Sequence, residues 1–382
     1  MTSPDTLRLL AQAAQQLAAG GLVAFPTETV YGLGGDAENP DAIAAIYAAK
    51  GRPANHPVIV HVAPEADLFY WASSIPAEAR ALIQAFWPGP LTLILPRASH
   101  IPAAVSGGQN SVGLRCPSHP VAQALLREFA RLKPGGHGGV AAPSANKFGH
   151  VSPTQAAHVR AEFPELAEDR LMVLEGGPSQ VGIESTIVDV SRLDEGIGPV
   201  LLRPGHITSE QLARVLGKPP GRPDDAAPRV SGSLKAHYAP NTPLRLVTRA
   251  QLQAMARDEL QGEAGKTNTP AATHEGIEAP VVQSPEANEA AARVSAGAAT
   301  PLRGGSGRVV ALVFEVPSVT SASHIDWRLC PSDPALYARD LYALLRAFDA
   351  QGYDCIYVEQ PPGTDAWRAV NDRVGRAAAA FS

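Results

Sequence analysis

The chain has 382 residues, 45% of them hydrophobic and 18% charged, with a formal net charge of −5. That is long enough for two domains and at least one sizeable core, in a composition ordinary for a globular protein. The negative balance weighs against a protein that grips nucleic acid over a broad face, although local basic patches stay open. Three widely spaced cysteines, Cys116, Cys330 and Cys355, argue against a disulfide framework and offer no CxxC zinc pair. They fit a reducing cytoplasm, as do the lack of a basic-then-apolar N-terminal leader and of any apolar run long enough to span a bilayer.

In chain order, "MTSPDTLRLLAQAAQQL" predicts a helix with Ser3 as N-cap, Pro4 at N1, and Leu7, Leu10, Ala14 and Leu17 on one face. Strand-like runs follow: "GLVAFPT", "PVIVHV", "LTLIL", "SVGLR", "GVAAPS", "LMVLE", "STIVDV" and "PVLLR". Helical patterns separate several of them. Asn39 caps one, with Pro40 at N1, an apolar face through Ile43, Ile46 and Tyr47, and Gly51 as its stop. Ser118, Ser152 and Thr208 are read as caps of three more. Alternation of this kind predicts α/β layers, and consecutive strands without a helix between them predict a mixed sheet. Residues 217–243, rich in Pro, Gly and charge, read as a linker. "LRLVTRAQLQAMARDEL" then reads as strand and helix. A stretch near 262–308 with few large apolar residues reads as a disordered or surface insertion. The strand "VVALVFEV", the helix "DPALYARDLYALLRAFDAQG", the strand "CIYVEQ" and the helix "DAWRAVNDRVGRAAAAF" complete a small second α/β domain. The expected division is therefore 1–216, 217–243 and 244–382.

Chemistry concentrates where strands end. Lys50 and Arg52 in "KGRPANHPVIVHV" complement a helix C-terminus or await an anion; His56 and His61 lie close by. "FPTETVYGLGGDA" places Thr27, Glu28, Thr29 and Tyr31 beside glycines, either a loop whose amides approach a phosphate or a turn, and it is not a Walker A sequence. Arg115, then Ser144, Asn146 and Ser152, then Arg203 occupy similar strand ends, and "GIESTIVDV" adds Glu184, Ser185 and Thr186. Ligands of open α/β sheets bind beyond the carboxyl ends of strands, so one shared polyanion site explains these clusters better than repeated coincidence. No nucleophile elbow or acid/base pair is evident. Cations, hydroxyls and amides suit phosphoryl or nucleotidyl transfer, which proceeds by positioning and charge neutralisation.

Taken in order, "FPTETVYGLGGDA", "KGRPANHPVIVHV", "WPGPLTLIL", "SVGLRCPSHPVAQALL", "APSANKFGHVSPT", "GIESTIVD" and "LLRPG" closely resemble the Sua5/YciO/YrdC family, over residues 5 to about 216. "SGSLKAHYAP" and the C-terminal α/β domain resemble its longer, Sua5-type branch. The resemblance implies a YrdC-like twisted mixed sheet with helices, plus a small Rossmann-like C-terminal domain. It implies a cytoplasmic nucleotidyltransferase that joins L-threonine, bicarbonate or CO2, and ATP into L-threonylcarbamoyladenylate and pyrophosphate, for tRNA t6A modification.

The family's KxR…SxN set falls on Lys50, Arg52, Ser144 and Asn146, with Lys50 and Arg52 as the catalytic pair. ATP would be held by Arg52, His56, Ser111, Ser144, Asn146, Ser152, Arg203 and Tyr238, and L-threonine by Thr29, His61, Arg115, Ala142 and Ser185. Mg2+ would be held by the triphosphate, with no metal ligand from the protein. The family's linker usually reads SPGMKxxHYxP and folds over the site. Here Lys235, His237 and Tyr238 are kept as lid residues, and SGSL replaces SPGM with loss of a stiffening proline. The implied partners are the substrates and tRNA or the t6A transfer machinery, with no membrane. Two rivals remain: an RNA-binding YrdC-type module without synthase activity, and a hydrogenase-maturation carbamoyl-transfer domain, whose accompanying zinc-finger cysteines are missing here.

Overall fold

The computed structural model describes residues 4–53, 55–266, 307–317 and 325–382. The larger unit contains α1 (Pro4–Ala18), β1 (Leu22–Phe25), β2 (Gly32–Asp36), α2 (Pro40–Lys50), β3 (Ile59–Val62), α3 (Leu68–Trp71), α4 (Ala77–Phe86), β4 (Leu91–Pro96) and β5 (Ser111–Arg115). It continues with α5 (Pro120–Leu132), β6 (Gly139–Ala141), α6 (Ala156–Glu162), β7 (Leu171–Val173), β8 (Thr186–Asp189), β9 (Val200–Arg203) and α7 (Ser209–Leu216). Its nine strands form one sheet in the order β7-β1-β2-β6-β3-β5-β4-β8-β9. The sheet is mixed: β3–β5 and β4–β8 are parallel, whereas β1–β2, β3–β6, β4–β5 and β8–β9 are antiparallel.

All eight runs expected before residue 216 form strands. The ninth strand, β2, is the glycine-rich "GLGGD", read from sequence as a loop or turn. Its glycines pair Val23 with Gly34 and Phe25 with Gly32. A Cβ on Gly34 would lie 2.8 Å from Val140 Cγ1 and 2.9 Å from Phe25 Cε1. The missing side chain at Gly34 therefore lets its neighbours close over a bare strand.

Helices cover both faces of the sheet. Leu10, Ala13, Ala14 and Leu17 of α1 pack with Leu125 and Phe129 of α5 against Phe25 and Val140. Ile43 and Ile46 of α2, Leu82 of α4 and Leu212 of α7 pack with the opposite side. Three expected details differ. Leu7 of α1 is exposed. The cap of α5 is His119, whose side chain accepts from Val121 N, while Ser118 N donates to Glu28. Helix α6 starts at Ala156 with Gln155 as cap, because the Ser152 hydroxyl is drawn away to Glu184. Asn39, Gly51 and Thr208 cap as expected, Thr208 within a reciprocal capping box with Gln211. The Ser3 cap lies outside the described residues.

The smaller unit has β10 (Leu244–Val247), α8 (Arg249–Lys266), β11 (Val309–Val313), β12 (Ile325–Leu329), α9 (Pro334–Gln351), β13 (Cys355–Glu359) and α10 (Arg368–Ala378). Among the described residues its four strands form a parallel sheet in the order β10-β13-β11-β12. Strand β12 was not foreseen. The helix α8 carries residues 262–266 of the expected insertion. Residues 267–306 of that insertion lie outside the described residues. The core of this unit is shared: Val30, Val151 and Ile183 of the larger unit and Tyr238 of the linker pack with Tyr337, Leu341, Tyr342, Val370 and Val374.

Candidate active site

Strands β3, β5, β6, β8 and β9 deliver their polar ends to one cleft, beside the turn that joins β1 to β2. Thr29, His61, Arg115, Ala142, Ser144, Glu184, Ser185 and Arg203 line it, and Ser231, His237 and Tyr238 of the linker close it. A second cavity, lined by Ser111, Gln109, Arg229 and Val230, shares Ile59 and Ser231 with the first.

Lys50, Arg52 and Arg203 are held by backbone and hydroxyl oxygens. Lys50 Nζ donates to the carbonyls of Ser144 at 2.6 Å and Asn146 at 2.5 Å. Burial first, and then the Arg52 charge, hold the Lys50 pKa well below its ordinary value. Arg52 donates to Ser231 Oγ at 3.2 Å and to the Pro57 carbonyl at 2.8 Å, and burial brings its pKa down to about 10. Arg203 donates through Nε and Nη2 to the Ser185 carbonyl at 3.1 and 2.9 Å, and through Nη1 to the Ser231 carbonyl at 2.9 Å. The linker residue Ser231 thus touches both arginines.

Glu184, which lines the cleft, and Glu28, behind Arg115, are each bound to arginine. Glu28 Oε1 accepts from Arg115 Nη2 at 2.7 Å, with both side chains buried, while Arg115 Nε has no partner among the described residues. Glu184 accepts from Ser152 Oγ at 2.5 Å, Tyr342 Oη at 3.0 Å and Arg373 Nε at 2.7 Å. Burial alone would raise the Glu184 pKa; the charges of Arg373 and Arg203, with these hydrogen bonds, bring it down to about 2. Burial and then Arg115 hold His61 at about 3, and burial holds His237 at about 3, so both imidazoles are neutral at pH 7. His61 Nδ1 is buried with no hydrogen-bond partner among the described residues.

The structure brings together Thr29, His61, Arg115, Ala142, Ser144, Ser185, Arg203, His237 and Tyr238 as cleft-lining residues. Lys50 and Asn146 lie behind the wall. Asn146 Nδ2 ties the Lys147 and His150 carbonyls, so its side chain braces a turn. Ser152 reaches the cleft only through Glu184. Ala142 N–H is committed to the Ile59 carbonyl. Ser111 lines the adjoining cavity. His56 packs edge-on to Phe148 at 5.4 Å, outside the lining, and Lys235 is exposed. The linker keeps a tight first turn despite its altered sequence: Gly232 adopts φ +77°, and Ser233 Oγ donates to the Val230 carbonyl at 2.9 Å. Glu184, Ser231, Tyr342 and Arg373 are the contributors without an assigned role in the sequence reading.

The Sua5_yciO_yrdC family profile, described as "Telomere recombination", matches residues 15–205. A second profile, "Threonylcarbamoyl-AMP synthase, C-terminal domain", matches residues 207–379. The chain belongs to the Sua5/YciO/YrdC family. A threonylcarbamoyl-AMP synthase of Pyrococcus abyssi is 41% identical over 234 residues, 60% of this chain and 64% of that protein. One of Bacillus subtilis is 43% identical over 243 residues, 62% of this chain and 66% of that protein. The matched stretch thus spans a little under two thirds of either relative. The crystal structure of P. abyssi Sua5 complexed with L-threonine superposes over 97% of this chain and 94% of that one, with TM-score 0.72 and 28% identity.

Proposed function

We propose that this chain is a nucleotidyltransferase that forms L-threonylcarbamoyladenylate and pyrophosphate from L-threonine, bicarbonate or CO2, and ATP. The observation that supports this most is the meeting of Arg115 and Arg203 in one cleft closed by the linker, whose Ser231 also accepts from Arg52. ATP is assigned to the Arg52 and Arg203 side, with Ser144 nearby and Ser111 in the adjoining cavity. L-Threonine is assigned to Thr29, His61, Arg115, Ala142 and Ser185. Arg115 keeps Nε for the amino-acid carboxylate while Glu28 holds its Nη2. The free threonine amine captures CO2, and the carbamate oxygen attacks the α-phosphorus as pyrophosphate leaves. The cleft excludes the water that would destroy the carbamate, and the two arginines oppose the charge growing on the phosphates.

Lys50 acts from behind: its ammonium pins the Ser144 and Asn146 carbonyls and so shapes the ATP wall. Residues 1–216 form the catalytic domain, 217–243 the lid, and 244–382 a domain that supports the lid. Mg2+ would arrive with the nucleotide. Among the described residues no group of three or more His, Cys, Asp or Glu could hold a metal. Glu28 and Glu184 are already engaged by arginines. The product is a reactive mixed anhydride, suited to transfer onto tRNA by partner proteins in the cytoplasm. Incubation with ATP, L-threonine and bicarbonate is expected to release pyrophosphate only when all three are present. Release that ignores threonine would overturn the reading.

A further inference from the structure

The smaller unit backs the wall of the cleft with a completely buried arginine. Arg373, in α10, is 0% exposed. Its Nε meets Glu184 Oε2 at 2.7 Å, its Nη1 meets Asp372 Oδ2 at 2.6 Å, and its guanidinium carbon lies 5.1 Å from the centre of the Tyr238 ring. Tyr342, in α9, donates to the same oxygen of Glu184 and stacks on Tyr238, ring centres 5.8 Å apart. The loop that carries Glu184 is built for this approach. A Cβ on Gly182, which has φ +79°, would lie 2.3 Å from the Arg339 carbonyl of α9. No residue with a side chain fits there without separating the units.

An acid in this place raises a problem. Glu184 lines the same cleft as Arg203, where the ATP phosphates are assigned, and an unpaired carboxylate there would repel a polyanion. Arg203 does not neutralise it by direct contact, because its donors go to Ser185 and Ser231. Arg373 does, from the far side of the wall. We propose that Arg373 is a positioning residue for nucleotide binding: from the smaller unit it cancels the Glu184 charge while Glu184 holds the Ser152 hydroxyl and the Tyr238 ring rests on the resulting pair. The smaller unit then completes the electrostatics of the cleft as well as tethering the lid. The inference rests on the proposed assignment of ATP to the Arg203 side.

Charge makes the two substrates respond differently. Removing Arg373 exposes one negative charge to a tetra-anionic nucleotide and to a zwitterionic amino acid with no net charge. The effect should therefore fall on ATP. The test uses the full chain and the non-cleavable analogue α,β-methylene-ATP, with direct binding measured beside pyrophosphate release and thermal melting. Arg373→Met should weaken analogue binding about thirty-fold or more, the usual consequence of leaving one member of a buried charge pair alone, and move the L-threonine KM by less than about three-fold. Arg373→Lys, which keeps the charge, should recover most of the loss. Glu184→Gln combined with Arg373→Met buries no lone charge and should bind the analogue at least about ten-fold more tightly than Arg373→Met alone.

Unchanged analogue affinity in folded Arg373→Met overturns the proposal, as does an equal loss for both substrates or no recovery in the double variant. Should Arg373→Met fail to fold, the double variant decides: a folded, analogue-binding protein supports the proposal and an unfolded one overturns it. Wild-type protein that neither binds the analogue nor releases pyrophosphate overturns the functional reading itself. Wild type that does both beside an unaffected Arg373→Met overturns only the role of Arg373.

Discussion

Gly232→Ala places a methyl group where the lid has no room for one. Gly232 has φ +77°, and a Cβ there would stand 2.0 Å from Tyr238 Oη and 3.1 Å from Tyr238 Cζ. The left-handed backbone costs alanine roughly 1–2 kcal/mol. Tyr238 is 1% exposed and cannot retreat in place, so its ring must leave the pocket. Lifting a buried aromatic ring costs about 2–3 kcal/mol, and breaking its stack on Tyr342 about 1 kcal/mol more. The closed lid should lose about 4–6 kcal/mol, a shift of at least about a hundred-fold toward the open form. Steady-state pyrophosphate release reads the catalytic consequence, and limited proteolysis across residues 217–243 reads the opening. We expect kcat/KM to fall by about two orders of magnitude or more, and the linker to become cleavable while the melting temperature changes little. Adding Tyr238→Phe removes the colliding oxygen and should return much of the activity. A Gly232→Ala protein that stays protease-resistant with activity within about three-fold of wild type would refute the reasoning.

Arg52 and Lys50 should part company when replaced. Arg52 is buried without a carboxylate partner among the described residues, so Arg52→Ala should abolish pyrophosphate release while the melting temperature holds or rises; a clear drop in melting temperature would contradict this. Lys50→Met strands two carbonyls at about 1–3 kcal/mol each, so it should lose activity together with several degrees of melting temperature, and an unshifted melt would show that those bonds are not made. The neutral histidines predict an acid weakness. His61 and His237 both lie near 3 in the fold against an ordinary value of 6.5, so the unfolded chain binds more protons between those limits. Their contribution is fully present above about pH 6.5 and is lost as pH falls toward 3. Urea midpoints should drop steadily from pH 6.5 to pH 4, and His237→Gln should flatten that slope by about one proton. An identical slope in the variant would count against a buried neutral imidazole.

The fold was largely legible because most strands announce themselves with Val, Leu and Ile. β2 did not, since a strand of glycines has no side chains to show a period, and its neighbours Phe25 and Val140 supply the packing from elsewhere in the chain. The start of α6 was misplaced because Ser152 looks like a cap until Glu184, 32 positions away, claims its hydroxyl. The cations of the cleft were visible as strand-end clusters, an effect of topology on local sequence. The Glu184 assembly was not. Its partners Tyr342 and Arg373 lie 158 and 189 positions away, and nothing near either one distinguishes it from an ordinary helix residue.

Ser231 has a consequence for how the arginines meet a substrate. With its hydroxyl on Arg52 and its carbonyl on Arg203, one short stretch of chain occupies both guanidinium groups at once. It serves as a tethered placeholder. An arriving nucleotide competes with this internal occupant, present at the high local concentration that a tether confers, and weak phosphate mimics such as free sulfate should be turned away. The two side chains are meanwhile already ordered, so a guest able to displace the serine finds its grip set in advance.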